Sequence, residues 1–157
     1  MTPILFSAAK SSDLEQLNRL MFGLHHEHHQ SCPDFFKTAR EIEQEKSIAR
    51  YLDDPECLVF VAKDKQDVVG FITGHFCELV SSVSKPIQMG SVDELYVLPQ
   101  YRQRKIAHQL CETLNQRFKE YGVVQIFVEV WDFNATALEF YNKLGFEHHI
   151  HWLRKAI

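Results

Sequence analysis

A basic run, Arg102-Gln103-Arg104-Lys105, stands between a strand-like segment and a helix-like one, within VDELYVLPQYRQRKIAHQL (Val92 to Leu110). Val92 to Val97 has the β-branched and aromatic content of a buried strand, and Pro99, lacking an N–H, ends its ladder. Ile106, Ala107, Leu110, Cys111, Leu114 and Phe118 then recur at helical spacing, so a helix begins within the run 102–105. The first amides of a helix have no intrahelical partner and carry the positive end of its dipole. With two arginines and a lysine beside them, they suit a polyanion such as a pyrophosphate. Three carboxylates lie on or near the neighbouring strands: Asp93, Glu94 and Glu129. Strand alternation sends Asp93 and Glu94 to opposite faces, leaving at most one of them for any single site.

A third cluster, His25, His26, His28 and His29 with Cys32 behind it, has an i, i+4 pair that could ligate a metal. The histidines read as a helix end interacting with its own C-terminal dipole, with no metal expected. A place in the wall of an acceptor pocket suits them better.

The elements that position these residues follow from pattern. Ile4 to Ser7 is a short edge strand, and Ser12 with Glu15 forms a capping box for a helix ending before Pro33. A second helix is expected over about Thr38 to Leu52, with a thin apolar stripe. Cys57 to Ala62 and Val68 to Cys77 are strands joined by a polar turn, and with the strand at Val92 they make a meander. Val123 to Val130, VVQIFVEV, reads as a central strand buried on both faces. Asn134 caps a helix stopped by Gly145, and a last strand is expected over about Glu147 to Lys155. The order is β-α-α-β-β-β-α-β-α-β: an α/β chain, α+β by some conventions, with a mixed, largely antiparallel sheet flanked by four helices.

Composition narrows the function. With 157 residues, 45% of them hydrophobic, the chain reads as one domain, 1–157. A net charge of −4 argues against a nucleic-acid binder. Four scattered cysteines without paired spacing point to a reduced, cytoplasmic chain, and no apolar run is long enough for a membrane span or a signal peptide.

Two segments, VDELYVLPQYRQRKIA and VEVWDFNATALEFYNKLGF, together make the chain resemble the GNAT superfamily of N-acetyltransferases. The first is similar to the family's P-x-[YF]-R turn followed by Q/R-x-x-G-x-G/A, with Arg102 and Ala107 at its ends. Lys105 takes the place of the first glycine. The second matches N-x-x-A-x-x-[FL]-Y-x-x-x-G-F at Asn134, Ala137, Phe140, Tyr141, Gly145 and Phe146. The resemblance implies acetyl-CoA as cosubstrate, held by Leu95, Tyr96, Val97, Arg102, Gln103, Arg104, Lys105, Ile106, Ala107, His108, Asn134 and Tyr141. It implies transfer of an acetyl group to a primary amine of a small molecule or peptide by direct attack in a ternary complex, and it makes a homodimer common. Lys105 also motivates an alternative, a non-catalytic CoA-sensing or partner-binding module.

Amine acetylation has known needs. An alkyl amine of pKa about 10.4 must lose a proton, so a carboxylate must accept it: Asp93 by resemblance, or Glu94. An oxyanion needs a donor such as a backbone N–H of Leu95 to Val97, which the resemblance implies is exposed by a bulge and splaying between the fourth and fifth strands. The departing thiolate needs an acid, for which Tyr141 is suited. His28, Glu129 and Trp131 are the expected acceptor contacts.

Overall fold

The computed structural model describes residues 2–157. The strands are β1 (Ile4–Ala8), β2 (Cys57–Asp64), β3 (Asp67–Leu79), β4 (Ile87–Val97) and β5 (Gln125–Val128). The helices are α1 (Leu14–Ser31), α2 (Ala39–Glu45), α3 (Ile48–Asp53), α4 (Ile106–Glu120) and α5 (Ala135–Lys143), with single 3-10 turns at Ser11–Asp13 and Pro99–Tyr101. The strands form an open sheet in the order β1-β2-β3-β4-β5. Successive pairs are antiparallel except β4 and β5, which the α4 crossover makes parallel. The fold class and the β2-β3-β4 meander are those expected.

The continuous apolar runs of β2 and β3 reflect burial on both faces, where alternation sends successive side chains to different layers. Val59, Val61 and Phe71 pack with Leu17, Leu20, Met21 and Leu24 of α1, whereas Phe60, Ala62 and Ile72 pack with Leu110, Leu114 and Phe118 of α4. α5 is capped by Asn134, whose Oδ1 accepts the Ala137 N–H at 3.1 Å. It ends at Gly145, φ 93°, where the Phe146 N–H returns to the Tyr141 carbonyl.

Five expectations change. The Ser12–Glu15 capping box does not form; the buried Asp13 accepts the Lys10 N–H at 2.9 Å and pairs with Lys63 at 2.6 Å, so a long-range ion pair sets the entry to α1. The helix expected over 38–52 is two, because Lys46 is extended (φ −126°, ψ 124°) and Ser47 caps α3 by accepting the Ala49 N–H. Strand β4 begins at Ile87 rather than Val92. The expected central strand 123–130 is short and lies at a sheet edge, and residues 147–157 form no strand, leaving Ile150, Trp152 and Leu153 exposed. A suitable local pattern becomes a strand only where an edge in register accepts it.

Candidate active site

The sheet changes register at one point that matters for chemistry. Thr73 of β3 pairs with Glu94, and the next residue, Gly74, pairs with Val92, so Asp93 is an extra residue in a β-bulge. A side chain at position 74 would place its Cβ 2.6 Å from the Ser91 carbonyl oxygen, so glycine permits the close approach. Beyond the bulge, alternation resumes out of phase. Val92 points into the α4 layer and Tyr96 into the α1 layer, and both Asp93 and Glu94 turn toward α2 and α3. The expectation of opposite faces is therefore corrected: the bulge puts both carboxylates into one cavity.

That cavity, about 250 Å³, is lined by Lys46, Tyr51, Asp93, Glu94, Glu129 and Trp131. Glu94 is buried; its carboxylate accepts from Thr73 Oγ1 and pairs with Lys46, and its N–H donates to Thr73 Oγ1 at 3.0 Å. Asp93 Oδ1 accepts from Ser91 Oγ at 2.8 Å, and Oδ2 lies 2.6 Å from His75 Nδ1 and 3.4 Å from the Tyr51 hydroxyl. Burial first, then the charges of Glu94 and Asp93, push the Tyr51 phenol well above its usual pKa, so it stays a donor.

An opening adjoins the cavity. β4 and β5 pair only from Met89↔Gln125 to Val92↔Val128, so the β5 side of β4 is free from Asp93 to Val97. The Leu98 N–H donates to Val69 on β3, and alternation therefore turns the Leu95 and Val97 N–H groups toward the open side. Here are the unpaired strand amides that an oxyanion or an extended polar chain could use.

At the end of β4 the chain enters the basic turn. Gln103 and Lys105 both have positive φ, 62° and 59°, and Lys105 caps α4 in the left-handed conformation (ψ 17°), its carbonyl accepting the Gln109 N–H at 3.0 Å. Among the described residues, the amides of Gln103 through His108 donate to no backbone carbonyl. Arg102 pins the turn, with Nε donating to the Val97 carbonyl at 2.9 Å, a second nitrogen to Glu27 Oε1 at 2.7 Å, and its guanidinium over the Tyr96 ring. Arg104 lies over the Tyr101 ring. A row of unpaired amides beside Arg104 and Lys105 fits a pyrophosphate, because donors and positive charge converge without backbone in the way.

A strand, a basic turn and a helix N-terminus beside a splayed sheet agree with the match of residues 22–146 to the "Acetyltransferase (GNAT) family". The chain belongs to that family. Membership brings acetyl-CoA as cosubstrate and acetyl transfer as the family's reaction. An acetyltransferase from Vibrio fischeri, solved as a crystal structure, is 54% identical, with 81% of this chain and 96% of that chain covered at a TM-score of 0.69. The "N-alpha-acetyltransferase" of Sulfurisphaera tokodaii is 31% identical over 101 residues, which is 62% of this chain and 60% of that relative's length. The aminoglycoside N-acetyltransferase AAC(6')-Iy in complex with CoA shares the fold at a TM-score of 0.74 and 17% identity, covering 100% of this chain and 97% of its own.

Within this GNAT fold the remaining expected residues divide. Glu129 and Trp131 line the acidic cavity. His28 reaches it through an aromatic wall, its ring 5.5 Å from Phe36, which lies 4.9 Å from Trp131 and 5.6 Å from Phe133. Burial lowers the pKa of His28, opposed in part by Glu27, so the ring tends to be neutral. Tyr141 is buried in the α4 layer beside Phe140 and Phe146, and that burial raises its pKa and keeps the phenol protonated. Among the described residues no group of three or more His, Cys, Asp or Glu is placed to hold a metal. No helix there is long and apolar enough to cross a membrane.

Sequence reading missed Lys46, Tyr51, Thr73, His75 and Ser91. No local signal marks them, since each joins the site through strand register or through the break between α2 and α3.

Proposed function

We propose that this chain acetylates a primary amine of a small molecule or peptide, with Asp93 accepting the amine proton. The observation that carries the reading is the bulge at Asp93, which brings two strand carboxylates into one cavity with Glu129. Three acids against Lys46 leave the cavity anionic, so it attracts an ammonium group. Glu94 is already engaged by Lys46 and Thr73, which makes it an organising residue and leaves Asp93 as the carboxylate for proton uptake. The aromatic wall of His28, Phe36, Trp131 and Phe133 offers apolar contact to the body of the acceptor.

Acetyl-CoA supplies the acetyl group as an activated thioester, and Arg104, Lys105 and the amides of 103–108 would hold its pyrophosphate. The Leu95 and Val97 N–H groups face the open side of β4, where they can donate to an oxyanion. Tyr141, kept neutral by burial, retains a proton for a leaving thiolate. Asn134 and the amides of β4 complete the expected cosubstrate contacts. A non-catalytic sensor would fit a turn distorted by Lys105; the glycine-like backbone of Lys105 favours an enzyme instead. We assign the chain to the cytoplasm, where its unpaired thiols would stay reduced.

The test measures thiol release across diamines, aminoglycosides and peptide α-amines, with a thermal shift by CoA as the binding control. Asp93→Asn and Tyr141→Phe should each lower kcat by about a hundredfold while the CoA shift persists. A parent that binds CoA yet acetylates nothing overturns the reading, and an unchanged Tyr141→Phe rate removes that tyrosine from its role. Because the folded phenol pKa is raised, the Tyr141 contribution should hold through neutral and mildly alkaline pH.

A further inference from the structure

Asp93 has two sides. One faces the acidic cavity; on the other, its Oδ2 lies 2.6 Å from Nδ1 of His75 on β3, a residue that does not line the cavity. The His75 side chain is 38% exposed whereas that of Asp93 is 16% exposed, so the imidazole reaches water more freely than the carboxylate it touches. From this juxtaposition we infer that His75 and Asp93 form a proton-exit dyad, in which the cavity carboxylate takes the proton of the amine and the imidazole passes a proton to solvent. The inference deepens the proposed acetyl transfer and rests on Asp93 being its proton acceptor.

The bookkeeping closes with one proton in and one out. An ammonium N–H breaks as a proton joins Asp93 Oδ2. That proton moves along the hydrogen bond to Nδ1 of a His75 protonated on Nε2, and Nε2 releases its own proton to water. Asp93, a carboxylate again, then accepts from Nδ1–H, and exchange with water moves the imidazole proton back to Nε2 when Asp93 is next protonated. Ser91 Oγ on Oδ1 and the Tyr51 hydroxyl on Oδ2 hold the carboxylate plane in place meanwhile.

The neighbours of His75 do not offer a better path. Across β2 its partner is Cys57, whose thiol is pushed up to about 11 by burial first and then by Asp54 and Asp93, so it is uncharged at neutral pH. Across β4 its partner is Ser91. Along its own strand Cys77 is raised by burial, then by Asp93 and Glu56. The phenol of Tyr51, from α3, is held neutral. The acids Asp54 and Glu56 lie between α3 and β2, outside the cavity lining. His75 is thus a positioning and relay residue acting through Asp93.

Two measurements test this. In protein labelled with ¹⁵N-histidine, the Nδ1 shift of His75, identified by its absence in His75→Gln, should change on Asp93→Asn; an unchanged shift overturns the dyad without reference to turnover. In steady-state assays, His75→Gln should lose about tenfold or more in kcat with both KM values within about twofold, and its pH–kcat profile should differ from the parent's. Added imidazole should restore His75→Ala several-fold. An unchanged kcat, or a loss that keeps the parent's pH profile and resists imidazole, overturns the inference. A parent inactive on every amine instead fails the acetyl-transfer reading, and the relay role with it.

Discussion

The Lys46 ammonium rests on the carboxylate of Glu94, joining the break between α2 and α3 to the buried centre of β4. The lysine side chain is 40% exposed and the glutamate 5%, so losing the lysine leaves a nearly buried carboxylate without its cation. Lys46→Met should cost about 1–3 kcal/mol in urea unfolding, and adding Glu94→Gln should recover part of it, because a neutral amide removes the unpaired buried charge. An additive double mutant would show that the two residues do not act as a pair.

Lys105 carries a conformational cost that glycine would not. A non-glycine residue in the left-handed region loses about 1 kcal/mol. Lys105→Gly should therefore raise the unfolding free energy by about that amount, and Lys105→Val should lower it. Calorimetric titration should show weaker CoA binding for Lys105→Gly and Lys105→Ala alike, since both remove the charge beside the 103–108 amides. Unweakened binding in both would mean that the lysine points away from the anion.

His25 links stability to pH. Burial first, then Lys46 and His28, lowers its pKa from 6.5 to about 4, and its Nε2 is buried with no partner among the described residues. The folded state resists protonation while the unfolded chain accepts it. Stability from this residue is thus full above about pH 6.5, falls as pH drops toward 4, and levels off below. His25→Leu should flatten urea midpoints across that window and leave the neutral-pH midpoint equal or higher. His28, also lowered, contributes a residual slope in the same direction. An unchanged slope in His25→Leu would place the titration elsewhere.

Legibility in the sequence follows the range of the interactions. Asn134 as a cap and Gly145 as a stop rest on contacts within a few residues, and each appears where local pattern puts it, whereas α4, expected to begin within 102–105, begins at Ile106. The Ser12 capping box fails because Lys63, distant in the chain, pairs with Asp13 instead. The expected 38–52 helix fails because Lys46 turns inward to Glu94. In both, a tertiary ion pair displaces a local preference.

The sequence by itself determined the family, the basic turn between strand and helix, the order of elements as far as α5 except for the break between α2 and α3, and the identity of the three candidate acids. Those depend on residue type and short spacing, which the chain carries wherever it folds. Only the tertiary structure decided that Asp93 and Glu94 share a cavity, that His75 stands behind Asp93 and that Lys105 keeps a glycine-like backbone. A one-residue bulge reverses the faces of a strand, and its place depends on the register between β3 and β4, which no single segment contains.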